Sequence, residues 1–355
     1  MSKESMLKLV QAAILAPSAD NMQPWKFRVT DDSLELTLDR NLMGHFFDPA
    51  DVATKIGCGA LVENIDQYAQ YLGLAMAVDR SSSGQQDVVA RMTFTPVVRN
   101  DPGNFSSELF LRCTNRELYD RRQKIGRQAR ADLDVSVNSS DGFSLTFYDL
   151  PVQRKMLINT LYKADTIRFS HEVVHKDFYD VLRFGDSAGK TMDGLAQATL
   201  GIEFFFIPIL RYLRSWRLTN ILNKVVGLHH LMALRGIWLP MVSSAGLVSI
   251  VHSGSADYLE FGRVMERFWL QATRSGLSVQ PLGAFPLFLA RLNLLDGEGF
   301  SSEQVSRLRQ LEQAFEDITP AYQVAERQLV MLFRLGYSGR APGRSMRRPV
   351  DSFIE

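Results

Sequence analysis

Two sixteen-residue stretches of this chain align without a gap: Gly59 to Leu74 (GALVENIDQYAQYLGL) and Gly262 to Leu277 (GRVMERFWLQATRSGL). Both open with glycine, place glutamate fifth (Glu63, Glu266) and alanine eleventh (Ala69, Ala272), and close in Gly-Leu. A repeat of this kind dictates architecture before local propensity does. Each copy carries apolar residues at helical spacing and ends at a glycine suited to a helix C-terminal cap. The alternating segment Val88 to Val97 follows the first copy. Gln328 to Leu335 follows the second after a longer connection. The expectation is an α+β chain built of two related halves.

Around the repeat, Ser5 to Leu15 reads as a helix, and Trp25 to Val29 with Leu34 to Leu38 as a hairpin turned at Thr30 to Ser33. Phe143 to Leu150 alternates like a strand, Val152 to Phe184 is helical in pattern, and Ser301 to Glu316 is a polar amphipathic helix. Gly339 to Glu355 reads as an extended tail. Between Gly201 and Ala245 lies a stretch with no counterpart in the first half: apolar helical pieces carrying Arg211, Arg214, Arg217 and Lys224. It is expected to be a lid or a flank of the pocket, with a membrane-surface helix as the second reading. The boundaries are therefore 1–111 for the first half, 112–200 and 246–355 for the second, and 201–245 for the helical insertion.

Composition removes several function classes. With 355 residues the chain has room for one large or two average domains. Lys+Arg 40 against Asp+Glu 39 leaves no basic surplus to neutralise a row of phosphates, so nucleic acid is not the expected partner. Cys58 and Cys113 have no CxxC spacing, which points away from a disulfide framework and a zinc site and toward a reducing, cytoplasmic home. Met1 to Val10 lacks the apolar run of a signal peptide. Ile202 to Leu213 and Ile237 to Val251 both fall short of the roughly 18 apolar residues of a spanning helix, so no transmembrane segment is expected.

Three segments are equipped for chemistry. Ala16 to Trp25 (APSADNMQPW) presents Ser18, Asn21 and Gln23 between two prolines, uncharged hydroxyl and amide groups suited to a planar ligand with imide and carbonyl edges. In Arg112 to Tyr119 (RCTNRELY), Arg112, Thr114 and Arg116 alternate and share one face if the piece is extended. Two guanidinium forks beside a hydroxyl suit a phosphate. In Ser345 to Pro349 (SMRRP), Arg347 and Arg348 are candidates to complete its neutralisation.

Together these segments resemble the FMN-dependent nitroreductase superfamily. The A/S-P-S-x-x-N-x-Q-P-W loop stands here as Ala16 to Trp25, and the R-x-[ST]-x-[KR] segment as Arg112 to Arg116. The glycine-bearing turn is Pro281-Leu282-Gly283-Ala284-Phe285, and the C-terminal arginine is Arg347 or Arg348. The QPW loop belongs to the first half and the other three to the second, the arrangement of the long single-chain branch, the Acg-like and ThiF-associated nitroreductase-like proteins. That resemblance implies a nitroreductase-like fold, tandem degenerate halves forming an intramolecular pseudo-dimer, and one composite FMN site. It implies Arg112 and Thr114 at the FMN phosphate with Arg347 or Arg348, and Arg116 near the N1/O2 edge of the ring. Ser18, Asn21 and Gln23 would reach the flavin from the opposing half, and the backbone of Gly283 and Ala284 would approach N5. Leu282 stands where the family places a glutamate. The implied activity is ping-pong oxidoreduction of a small organic substrate, with NAD(P)H as donor, by a monomer or a homodimer. A flavin-binding or flavin-sequestering protein without turnover is the first alternative, and an H-E-x-x-H zinc peptidase the second.

His171 to His175 (HEVVH) matches the H-E-x-x-H zinc signature on an expected helix, but no third ligand follows in place, and no metal is expected. Gly57-Cys58-Gly59 lacks the G-x-G-x-x-G pattern, and no G-x-S-x-G elbow occurs.

Overall fold

In the computed structural model, which describes residues 3–30, 32–80, 87–97, 107–340 and 342–355, the chain opens with helix α1 (Lys3–Ala13) and a hairpin. Strand β1 (Trp25–Val29) pairs antiparallel with β2 (Ser33–Leu38) in the register expected, Trp25 opposite Leu38 and Val29 opposite Leu34. Helix α2 (Val52–Tyr71) begins a full two turns before the repeat does. Asp48 explains the early start, since its carboxylate accepts from the amides of Ala53 and Thr54 and from the Thr54 hydroxyl. Strands β3 (Leu74–Asp79) and β4 (Val88–Pro96) complete an antiparallel sheet of order β1-β2-β4-β3.

The second sheet follows the same plan with longer connections. After the short α3 (Glu108–Leu111) and α4 (Arg127–Asn138) comes β5 (Phe143–Phe147). The single helix expected over Val152 to Phe184 is instead two, α5 (Pro151–Phe169) and α6 (Glu172–Val181), broken where His171 caps α6 by accepting from the Val174 amide. A small parallel pair, β6 (Leu182–Arg183) and β7 (Leu195–Ala196), flanks α7 (Ser187–Thr191). The insertion forms α8 (Phe206–Tyr212), α9 (Trp216–Val226), α10 (Leu228–Ala233), a π-type turn over Leu234–Trp238 and α11 (Leu239–Ser243). Then β8 (Gly246–Ser253), α12 (Tyr258–Arg274), β9 (Ser278–Pro281), α13 (Ala284–Leu294), α14 (Ser302–Glu316) and β10 (Arg327–Gly336) follow. The sheet order is β5-β8-β10-β9, all antiparallel.

In both sheets the order by chain position is first, second, fourth, third, and the helix carrying the repeat lies between the second and third strands. Those two helices, α2 and α12, pack against each other and share one apolar core with both sheets, through residues such as Leu36 and Ala90 on one side and Ile250 and Phe333 on the other. They cross at the repeat glycines. A Cβ on Gly59 would collide with the Leu259 carbonyl, and one on Gly262 with that of Ile56. The repeat glutamates are buried in the same contact. Glu63 is held by Arg263 and Arg267 from α12, and Glu266 by Arg112.

Two extended segments add to sheet edges. Thr114 bridges Val279 of β9 in parallel, with the Asn115 amide donating to the Val279 carbonyl at 2.8 Å. The tail returns to the first sheet, where Ile354 bridges Phe27 of β1 and the Glu355 amide donates to the Phe27 carbonyl at 2.9 Å.

Candidate functional site

The loop between α1 and β1 takes an uncommon backbone path. Asp20, Asn21 and Gln23 are left-handed, with φ of 48°, 59° and 55°. Such residues are strained and persist only where their surroundings over-determine them. Here the tail does so. Asn21 Nδ2 donates to the Met346 carbonyl at 3.1 Å, and Arg347 Nη1 donates to Asn21 Oδ1 at 2.6 Å. Fully buried Gln23 donates through Nε2 to the carbonyls of Asn21 and Met192, and its Oε1 accepts from the Arg348 amide at 3.1 Å. Ser18 Oγ accepts from the Gln23 amide at 3.0 Å.

Pressed against β9, the arginine segment is extended. Arg334, buried in β10, fastens it by donating to Gln280 Oε1 and to the carbonyls of Asn115 and Glu117, with its guanidinium 4.0 Å from the Tyr119 ring. Asn115 turns inward to Ser278 Oγ at 3.1 Å, which leaves Arg112, Thr114 and Arg116 on the other face.

Loop and segment meet over a cleft with two adjoining chambers. The smaller, of about 150 Å³, is lined by Arg112, Thr114, Arg116, Arg344 and Arg347 together with Ser18 and Asn21. The larger, of about 240 Å³, is walled by Ile56 and Gly57 of α2, Met265 and Trp269 of α12, Met331 of β10, and Gly283 and Ala284 at the start of α13. Pro17, Ser18, Asp20, Thr114 and Arg116 line both. Together the chambers reach the lower part of the roughly 300–1,000 Å³ range of small-molecule sites.

Of the residues singled out in the sequence, Ser18, Asn21, Arg112, Thr114, Arg116, Gly283, Ala284 and Arg347 line one or both chambers, while Gln23 and Arg348 lie behind the loop. The arginines are not equally free. Arg347 donates to the carbonyls of Ile14, Leu15 and Ala16, in the turn that follows α1, and burial lowers its pKa to about 10. Arg348 Nη2 donates to the Gln23 carbonyl and its guanidinium lies over Phe353. Arg112 donates to the Leu15 carbonyl at 2.7 Å and pairs with Glu266 at 2.9 Å above the Trp269 ring. Arg116 spends one bond, from Nη1 to the Thr199 carbonyl at 2.9 Å, and its remaining donors stand at the junction of the chambers.

Among the residues at the cleft that the sequence did not single out are Phe47 and Arg168 and, within the QPW loop, Asp20, all lining the larger chamber, and Arg344, lining the smaller. Burial holds the Asp20 carboxyl above the ordinary range, while Arg168, His45 and Arg116 pull it back down. These groups come together from the first loop, the stretch before α2, and α5, a convergence that no local spacing encodes.

The larger chamber also fits a ring with hydrogen-bond acceptors. Helix α13 begins at Ala284 with no side-chain cap at Gly283, so its first amides have no intrahelical partner. Gly283 has ordinary helical torsions, φ −78° and ψ −16°, and an added Cβ would meet only Leu287 and Met331, both at 3.9 Å. Neither the backbone nor the packing therefore requires glycine there.

The HEVVH segment is used otherwise. His171 Nε2 bonds the Gly299 carbonyl at 2.8 Å and His175 Nε2 the Arg214 carbonyl at 3.2 Å. No group of three or more His, Cys, Asp or Glu side chains among the described residues is placed to hold a metal ion. Neither chamber draws on residues 204–243 for its walls.

No family model matches the chain. It is 24% identical over 352 residues to an uncharacterized protein of Mycobacterium tuberculosis (strain CDC 1551 / Oshkosh), MT1398. The match covers 98% of this chain and 47% of that protein, so the chain spans about half the length of the curated relative. Among solved structures it is similar to the FMN-dependent nitroreductase NfnB of Mycobacterium smegmatis in complex with NADPH (12% identity, 69% of this chain and 94% of that one, TM-score 0.38). It is also similar to a BluB-like flavoprotein of Clostridium difficile 630 (10% identity, 69% and 95%, TM-score 0.37) and to oxidized iodotyrosine deiodinase bound to FMN and 3-iodo-L-tyrosine (12% identity, 68% and 94%, TM-score 0.34). These superpositions are loose, and identity is low throughout.

Proposed function

We propose that this chain is an FMN-dependent oxidoreductase of the nitroreductase type, its two sheets and crossed helices being fused halves that share one flavin site. The observation that carries the reading is the cleft itself: a small cationic chamber opening directly into a larger, mostly apolar one, with five residues common to both walls. A phosphate at one end and a flat heteroaromatic ring at the other match that division.

On this reading Thr114 and the free donors of Arg116 hold the phosphate end, with Arg112 and Arg344 adding charge, and Asn21 and Ser18 close the loop side. Arg347 serves by fixing the loop, since its donors are engaged with the turn that follows α1. The amides of Gly283 and Ala284 supply donors to ring acceptors. Met265, Trp269, Leu287 and Met331 exclude water from one side of the larger chamber, which strengthens every charge interaction inside it. FMN, when bound, supplies a ring nitrogen that accepts and returns a hydride, so the protein's part is orientation and electrostatics. A small organic substrate and a nicotinamide donor would enter past Asp20, Phe47 and Arg168.

Purification without added cofactor, followed by extraction and absorbance, tests this. A yellow protein with near one FMN per chain that bleaches anaerobically with NADH or NADPH is expected. A colourless protein that fails to take up FMN refutes the reading, and a bound flavin that neither nicotinamide reduces would leave binding without turnover.

A further inference from the structure

About half of the exposed large apolar side chains among the described residues fall between Phe204 and Leu239, within the insertion. Phe204 is 82% exposed, Tyr212 76% and Val225 75%. On α9 the amphipathic pattern is turned inside out. Thr219 and Asn223 face the body of the protein, where Thr219 Oγ1 donates to the Leu213 carbonyl at 2.7 Å and Asn223 Nδ2 to the Phe169 carbonyl at 3.1 Å. Leu218, Ile221 and Val225, spaced to share one helix face, point to solvent. The next helical run repeats the arrangement, with Ala233 and Ile237 buried and Leu231, Leu234 and Trp238 exposed. A soluble surface helix buries its apolar stripe; these helices display theirs.

The charge around this face is of one sign. Between Gly201 and Ala245 the acidic side chain is Glu203, which is paired with Arg235. Arg211, Arg214, Arg217 and Lys224 are exposed, and no ion pair engages any of them among the described residues. Shape fits as well. Trp216–Val226 and Leu228–Ser243 together have the length and apolar content of a span, but they are bent by 92° at Gly227, whose φ is 65°. A pair bent that sharply does not make one straight span.

From these observations we infer that the insertion is a membrane-docking device, which lays α8, α9 and α10 into the headgroup layer of an anionic lipid surface. The aromatic and aliphatic side chains enter the acyl boundary, and the four cations remain at the level of the lipid phosphates. A second copy of the chain is a poorer occupant, because face-to-face packing would set the same four cations against one another. An anionic bilayer neutralises them.

Flotation of the full chain with vesicles tests the assignment. With phosphatidylcholine and phosphatidylglycerol in a roughly 2:1 ratio the protein is expected to float, and with phosphatidylcholine alone to float about tenfold less. Two triple variants, Leu218→Ser with Ile221→Ser and Val225→Ser, and Arg214→Gln with Arg217→Gln and Lys224→Gln, each change only exposed side chains. Each is expected to lower the floated fraction about tenfold while the far-UV circular dichroism is unchanged. Wild-type protein that stays at the bottom of the gradient with anionic vesicles overturns the proposal. So does a folded apolar variant that floats as well as wild type, or sedimentation as a dimer that this variant dissociates while no vesicle captures the wild type.

Discussion

Gly59 and Gly262, equivalent positions of the sequence repeat, meet backbone to backbone where α2 crosses α12: a Cβ on Gly59 would lie 2.8 Å from the α-carbon of Gly262, and one on Gly262 2.7 Å from that of Gly59. Nothing flexible stands in the way that could yield, only helix backbone. The larger chamber borrows walls from both helices, so this crossing also sets its width. Gly59→Ala is therefore expected to cost about 3 kcal/mol or more, above an ordinary overpacking mutation, with urea unfolding as the measurement. A variant as stable as wild type would show that the helices are not held at this distance.

Gly283 provides the contrasting case. Its backbone is ordinary and a Cβ there would make only van der Waals contact with the flexible ends of Leu287 and Met331, so Gly283→Val should cost no more than about 1–2 kcal/mol of stability. The added isopropyl group projects where the ring is proposed to lie, so FMN affinity, read from quenching of flavin fluorescence, should fall at least about tenfold. Equal affinity for both proteins would remove the turn from the site.

The two arginines at the small chamber should fail in different ways. Arg116→Ala removes one protein bond, to the Thr199 carbonyl, together with the donors at the junction of the chambers, and the expected result is about a tenfold or greater loss of FMN affinity with a fall of about 1 kcal/mol in stability. Arg347→Ala unties Asn21 and three carbonyls in the turn after α1, so melting temperature should drop together with affinity, by about 2 kcal/mol in stability. Thermal melts with and without FMN separate the two patterns, and identical behaviour would contradict the division of roles.

Glu266 makes a pH prediction. Burial raises its carboxyl from 4.5 to about 7; Arg112 pulls it down without overcoming that penalty, and Glu63 adds to it. A carboxyl raised in the folded state binds more protons folded than unfolded. Its contribution is complete below about pH 4.5 and is lost as the pH climbs through about 7, a change on the order of 3 kcal/mol. Urea unfolding of wild type and Glu266→Gln between about pH 4 and 8 should show wild type weakening relative to the variant across that window. A difference that does not vary with pH would mean the ion pair keeps the carboxylate charged throughout.

What could be read in the amino-acid sequence was what its local signals encode. The β1–β2 hairpin, the repeat helices and α14 followed from patterning, and the structure adds the reciprocal cap of Ser301 and Gln304 that starts α14. Alternation also placed Arg112, Thr114 and Arg116 on one face. β8 was harder to read because it is buried on both sides and shows no period of two, and the Val152 to Phe184 run concealed a break made by a histidine cap. Gln23 looked like a ligand-facing amide, yet it is a rivet between loop and tail, a role fixed by residues more than three hundred positions away. Asp20, Phe47 and Arg168 converge only in three dimensions.

The left-handed loop at Asp20 to Gln23 has one more implication. A peptide of that sequence on its own would seldom visit such torsions, so the wall of the cleft is shaped largely by contacts from Met346 to Arg348. Drift at Met346 or Arg348, which line neither chamber, would reshape what the cavity admits while leaving every lining side chain as it was, giving natural variation a remote control over selectivity.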